Sequence, residues 1–178
     1  MRLLTGFSLV EVLVASLMIM LGVTGYVTLQ SEYVLADSRL NLRNVALQLA
    51  EEKLDELTTV SQLSRQSYDD IATNLGGILN SGKVDVVLGN NQQNQRSFNR
   101  SWSVNTLYFV DTDNNGSADL WVTAGHPKFP LGPSKLVTQK DVMVTVDWQD
   151  YQGKHLSLSM SGRLSPILQS SSAFVAIK

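Results

Sequence analysis

Hydrophobic and polar positions follow three regimes along the chain. From Phe7 to Leu29 the sequence is almost continuously apolar, with Glu11 the one charged residue. A helix over that stretch is roughly 35 Å long, enough to cross a hydrocarbon core with some tilt. From Ser31 to about Thr58 there is neither Pro nor Gly. Here Val34, Leu35, Leu42, Val45, Ala46, Leu49, Ala50, Lys53, Leu54 and Leu57 fall mostly at helical spacing, and Glu51, Glu52, Asp55 and Glu56 lie off the stripe. The spacing predicts one helix over about 7–58, its outer half laying an apolar face on a globular domain.

From Trp102 onward the period changes to two. Trp102–Val110, Leu120–Thr123, Asp141–Trp148 and His155–Gly162 read as strands, and residues 149–154 between the last two read as a hairpin connection. The segment from 59 to 101 is less patterned: a short helix or turn over Tyr68–Ala72, Gly76-Gly77, a strand or edge over Lys83–Leu88, and a polar loop from Gly89 to Gln95. A long amphipathic helix followed by about four antiparallel strands predicts a two-layer α+β domain over 59–178. Gln169-Ser170-Ser171-Ser172 reads as a mobile tail.

Glu11 is the anomaly in the apolar run. A charge at the centre of a membrane helix costs about 2.5–3.5 kcal/mol on insertion scales and usually marks function. No Lys or Arg lies between Phe7 and Leu29 to pair with it. Cleavage after Gly6 would create an amine at Phe7, four residues before Glu11, in the same molecule or on a neighbour packed one step along. A secretory signal would need small residues at its exit, where Gly25-Tyr26-Val27-Thr28-Leu29-Gln30 stands instead. An uncleaved single-pass anchor would leave Glu11 unpaired.

Gly6, Phe7, Ser8, Leu9, Val10 and Glu11 match, residue by residue, the class III signal of the type IV prepilins and pseudopilins, and the chain resembles that family. The resemblance implies a leader over 1–6 removed by prepilin peptidase, N-methylation of Phe7, and Glu11 neutralising the N-terminal amine of a neighbouring subunit during assembly. It also implies a pilin fold, which the helix-then-strand pattern reaches separately. Val45 to Leu57 carries Ala46-x-x-Leu49-Ala50-Glu51-x-x-Leu54, similar to minor pilins of the PilV type and minor pseudopilins of the GspI type. The bland alternative for that stretch is an amphipathic helix with ordinary charge pairs.

Composition narrows the classes. Fourteen basic against sixteen acidic residues give a formal charge of −2, so no nucleic-acid surface is indicated. Arg2 is the only charge before the apolar run, and a basic leader stays cytoplasmic, which places the globular part on the exported side of an inner membrane. There is no Cys, so the disulfide that closes a C-terminal loop in many pilins has no counterpart.

One constellation has ligand chemistry. Asp111, Asp113, Asn115, Ser117 and Asp119 stand at positions 1, 3, 5, 7 and 9 of a loop with Gly116 at position 6, as in the first part of an EF-hand-like calcium loop. Ser117 would contribute its backbone carbonyl, and Val122 stands where the bidentate Glu would be. A tight connection between strands also favours Asp, Asn and Gly, so calcium and a plain turn both remain open. His126 and His155 have no nucleophile or acid at catalytic spacing, and no enzyme is expected. Trp102, Trp121 and Trp148 are expected in the core. Asn99-Arg100-Ser101 and Asn115-Gly116-Ser117 match glycosylation acceptors that a bacterial context disfavours.

The expectation is a minor type IV pilin that takes part in assembling or priming a fibre, with other minor and major pilins as partners. Before assembly it would sit in the inner membrane. A minor pseudopilin of a type II secretion system shares every motif, and a calcium-dependent tip adhesin or DNA-uptake pilin is a further alternative.

Overall fold

The computed structural model describes residues 8–89, 95–129 and 136–166. Two compact units divide at Leu42: Met1–Leu42 and Arg43–Lys178. Helix α1, Leu9–Leu63, runs through the division. It continues five residues past the expected end, because nothing before Ser64 stops it. Ser64 is extended (φ −159°) and its hydroxyl accepts from the Ser67 N–H at 3.0 Å, so it ends α1 and caps the short α2, Arg65–Asp69.

The second unit is α+β, the last third of α1 packed on an antiparallel sheet. The strands are β1 (Gly82–Val87), β2 (Gln95–Val110), β3 (Leu120–Thr123), β4 (Val137–Gln149) and β5 (His155–Leu164), in the order β1-β2-β4-β5 with β3 also paired to β2. β2 is the axis. One edge pairs with β4 from Phe98 to Phe109, and the other carries β1 at residues 95–100 and β3 at residues 107–110. The expected strands are all present; β2 reaches back to Gln95, and Lys83–Leu88 resolves into β1.

The period of two explains the layering. On β4, Lys140, Val142, Val144, Val146 and Trp148 are buried, and the residues between them face outward. They meet Leu49, Ala50 and Leu57 of the helix and Phe98 and Trp102 of β2 in one core. Helix and sheet approach closely at Gly162 on β5, where a Cβ would lie 2.6 Å from Leu54 Cδ1. Asp150 closes the β4–β5 connection by accepting the Gln152 and Lys154 N–H groups at 2.8 and 2.9 Å. Trp102 and Trp148 are in the core as expected. Trp121 is not: it is 37% exposed and stacks on Phe109 on the outer face, because four-residue β3 has no helix over that side.

The connection from α2 to β1 fills the gap that β1 and β3 leave on the edge of β2. Asn74 donates its N–H to the Trp102 carbonyl and accepts the Trp102 N–H on Oδ1 (3.0 and 2.9 Å), and Thr73 Oγ1 accepts the Val104 N–H at 3.1 Å. Trp102 Nε1 donates to the Ala72 and Leu75 carbonyls, both at 3.1 Å.

Buried cations fasten this connection to the core. Lys53 Nζ is fully buried, donates to the Gly76 and Leu79 carbonyls (2.7 and 2.8 Å) and to Glu56 Oε2 (2.8 Å), and lies 4.0 Å from the centre of the Trp102 ring. Lys140 Nζ donates to the Tyr68, Asp69 and Ile71 carbonyls at 2.6, 3.0 and 2.7 Å. Arg100 reaches the Asn80 carbonyl at 3.2 Å. Each ammonium satisfies carbonyls that an irregular segment would otherwise bury without a donor.

Candidate functional site

Two places carry the candidate chemistry. In the first unit, Glu11 lies in the first turn of α1 with its side chain exposed, and the helix opens with the Glu11 and Val12 N–H groups donating to the Ser8 carbonyl (2.9 and 3.2 Å). Gly6 and Phe7 lie outside the described residues. From Leu9 to Leu29 the apolar side chains are exposed, and α1 is long and apolar enough to cross a membrane.

The Ser and Thr side chains of this stretch are satisfied by the helix itself. Ser16 donates to the Leu13 carbonyl, Thr24 to Met20 and Leu21, and Thr28 to Thr24, all at 2.9–3.0 Å. A hydroxyl bonded back to its own helix carries no orphan donor into hydrocarbon. Glu11 is the one charged side chain between Leu9 and Leu29, and a single apolar anchor is the role this helix fits.

The second place is the β2–β3 hairpin, where Asp111, Asp113, Asn115, Ser117 and Asp119 share one exposed loop, as their spacing predicts. The Asp119 N–H donates to the Val110 carbonyl at its base (2.9 Å). Asn114 and Gly116 take φ of 58° and 85°, the left-handed region that Asn and Gly tolerate best.

Inside the loop the acceptors face backbone donors. Asp111 accepts from the N–H groups of Asp113 (3.3 Å), Asn115 (3.2 Å) and Gly116 (2.7 Å). Asp113 accepts from the Asn115 N–H and from its Nδ2, and Asn115 Oδ1 accepts the Ser117 N–H. Asp119 turns aside to the Thr112 N–H and hydroxyl (3.0 and 2.8 Å). Partial burial would raise the Asp111 carboxyl, but the Gly116, Asn115 and Asp113 donors outweigh it and hold the group below the usual carboxylate range.

Among the described residues no three His, Cys, Asp or Glu side chains are gathered as a metal would need. The loop holds the expected oxygen ligands together in sequence without converging them on one point. Both Asp119 oxygens are engaged by Thr112.

The spacing of ligand types did not point to the Lys53 and Glu56 pair. Burial is the largest influence on Lys53 and lowers it, against the raising effect of Glu56. Burial would raise Glu56, but Lys53 and the Leu79 and Ile78 N–H groups bring it below its ordinary value. One signal was present: Lys53 sits on the apolar stripe of α1.

No protein-family model matches the chain, and neither a curated protein nor a solved structure matches it significantly. The architecture itself is pilin-like: a long, N-terminally apolar helix whose outer part packs on an antiparallel sheet.

Proposed function

We propose that the chain is a minor type IV pilin. The observation that carries this reading is the run Gly6-Phe7-Ser8-Leu9-Val10-Glu11 standing immediately at the head of a 55-residue helix that ends in an α+β domain. Prepilin peptidase would cut after Gly6, the new Phe7 amine would be methylated, and the anchor would hold the domain at the outer face of the inner membrane. In the fibre, Glu11 would neutralise a neighbour's amine and so fix the axial register of the subunit; a low-dielectric bundle strongly disfavours a carboxylate left unpaired. The function is packing and charge neutralisation, and no catalytic step is assigned.

Expressed with its cognate peptidase, Gly6→Ala should leave a longer membrane-bound precursor on immunoblots. Glu11→Ala should be processed normally yet be depleted from sheared fibres. Fibres carrying uncleaved protein at wild-type levels would overturn the reading. A minor pseudopilin would satisfy the same motif; recovery of the protein with secretion-system rather than pilus components would favour it.

A further inference from the structure

The hairpin loop contains an Asn-Gly step whose chemistry is independent of any role in assembly. Asn115 precedes Gly116, which has no side chain of its own to screen its amide nitrogen from the Asn115 side chain. That nitrogen can attack Asn115 Cγ. The new N–Cγ bond forms as Cγ–Nδ2 breaks, and Nδ2 leaves as ammonia with the proton surrendered by the Gly116 nitrogen. Water then opens the cyclic imide at either carbonyl, giving aspartate or isoaspartate, and no other reagent is consumed. Both residues are exposed, so water reaches them. Gly116 cannot readily be exchanged for a shielding residue, because its φ of 85° suits glycine.

The structure engages each polar group that this reaction must move. The Gly116 N–H donates to Asp111 Oδ2 at 2.7 Å, Asn115 Nδ2 donates to Asp113 Oδ2 at 2.9 Å, and Asn115 Oδ1 accepts the Ser117 N–H at 2.8 Å. For attack, the Gly116 peptide plane and the Asn115 amide must rotate until the nitrogen faces Cγ, and the bonds to two carboxylates oppose both rotations. We propose that Asn115 is a deamidation site held in check by this network, with Asp111 as the positioning residue that restrains the attacking nitrogen. Deamidation replaces the Nδ2 donor to Asp113 with a fourth carboxylate, and the isoaspartyl product also lengthens the loop backbone by one methylene.

The test is ageing of the full chain in detergent micelles, in mildly alkaline buffer with a chelator, followed by peptide mapping with mass spectrometry at Asn115. A synthetic peptide spanning Val110 to Leu120 should react about tenfold or more faster than the folded chain, the factor that about 1.4 kcal/mol represents. Asp111→Ala should bring the folded chain towards the peptide rate, with near-UV circular dichroism showing that the domain stays folded, and Asp111→Glu should restore part of the protection. Asp113→Ala, which leaves the Gly116 bond in place, should accelerate less and serves as the second variant if Asp111→Ala unfolds. Equal rates in peptide and folded chain, or no acceleration in the folded Asp variants, would overturn the proposal.

Discussion

Replacing Lys53 with Met tests whether a buried ammonium holds the α2–β1 connection in place. Met is close to Lys in length and fills the same channel, so the change removes donors and charge while creating little void. Three bonds are lost, to Glu56 Oε2 and to the Gly76 and Leu79 carbonyls, together with the contact on the Trp102 ring. Removing one partner of a buried ion pair typically costs about 3–5 kcal/mol. Glu56 keeps its Ile78 and Leu79 N–H donors and is 16% exposed, and the lowered affinity of Lys53 for its proton shows that burial already works against the charge. Both considerations favour the lower end, about 3 kcal/mol, or roughly a 10 °C fall in Tm for a domain of this size.

Thermal unfolding of the full chain in micelles, followed by near-UV circular dichroism, reads that loss. The Lys53→Met/Glu56→Gln double variant should lose less than the sum of its two single variants, because neither leaves the other's charge unpaired. A Lys53→Met protein as stable as the wild type would refute the reasoning, and so would strict additivity in the double variant.

Three further outcomes are expected. Gly162→Ala places a methyl group against Leu54 and should cost about 1–3 kcal/mol in the same melting assay, with Leu54→Ala in the same chain recovering part of it. Glu56, held below its ordinary 4.5, contributes stability that is present above that value and is lost as pH falls through its folded-state pKa; Glu56→Gln should flatten that acid limb of the Tm–pH curve. We propose that the hairpin loop takes calcium weakly through Asp111, Asp113, Asn115, Ser117 and Asp119: millimolar calcium should raise Tm, reversibly with a chelator and not in Asp119→Asn, and no shift in the wild type would sink the proposal.

Much of the fold was legible because its signals are periodic. The apolar stripe from Val45 to Leu57 marked the helix face, and alternation marked β5 to within two residues and β4 from Asp141 on, without its first four residues. Where a polar residue occupies a core position the pattern weakens: Arg100 helped hide nearly the first half of β2, since a buried guanidinium reads as an outward-facing residue until its carbonyl partners are known. The connection from 70 to 81 was opaque for the same reason. Its order comes from Lys53, Lys140 and Trp102, which lie at sequence separations of 23 to 69 and leave no local trace. In the hairpin the residue types were legible but their aim was not, because a carboxylate flanked by free amide groups satisfies itself before it meets a ligand.

The fasteners of that connection also impose an order in time. Lys140 reaches Tyr68, Asp69 and Ile71 from β4, and Asn74 and Thr73 bond to β2, so their partners exist only once those strands have paired. Closing such long loops costs entropy before any contact repays it. The bonds to β2 and β4 therefore cannot precede those strands, whereas Lys53 reaches Gly76 and Leu79 from α1; until residues 73 and 74 dock, the edge of β2 between β1 and β3 stands open as a template for a strand from another chain.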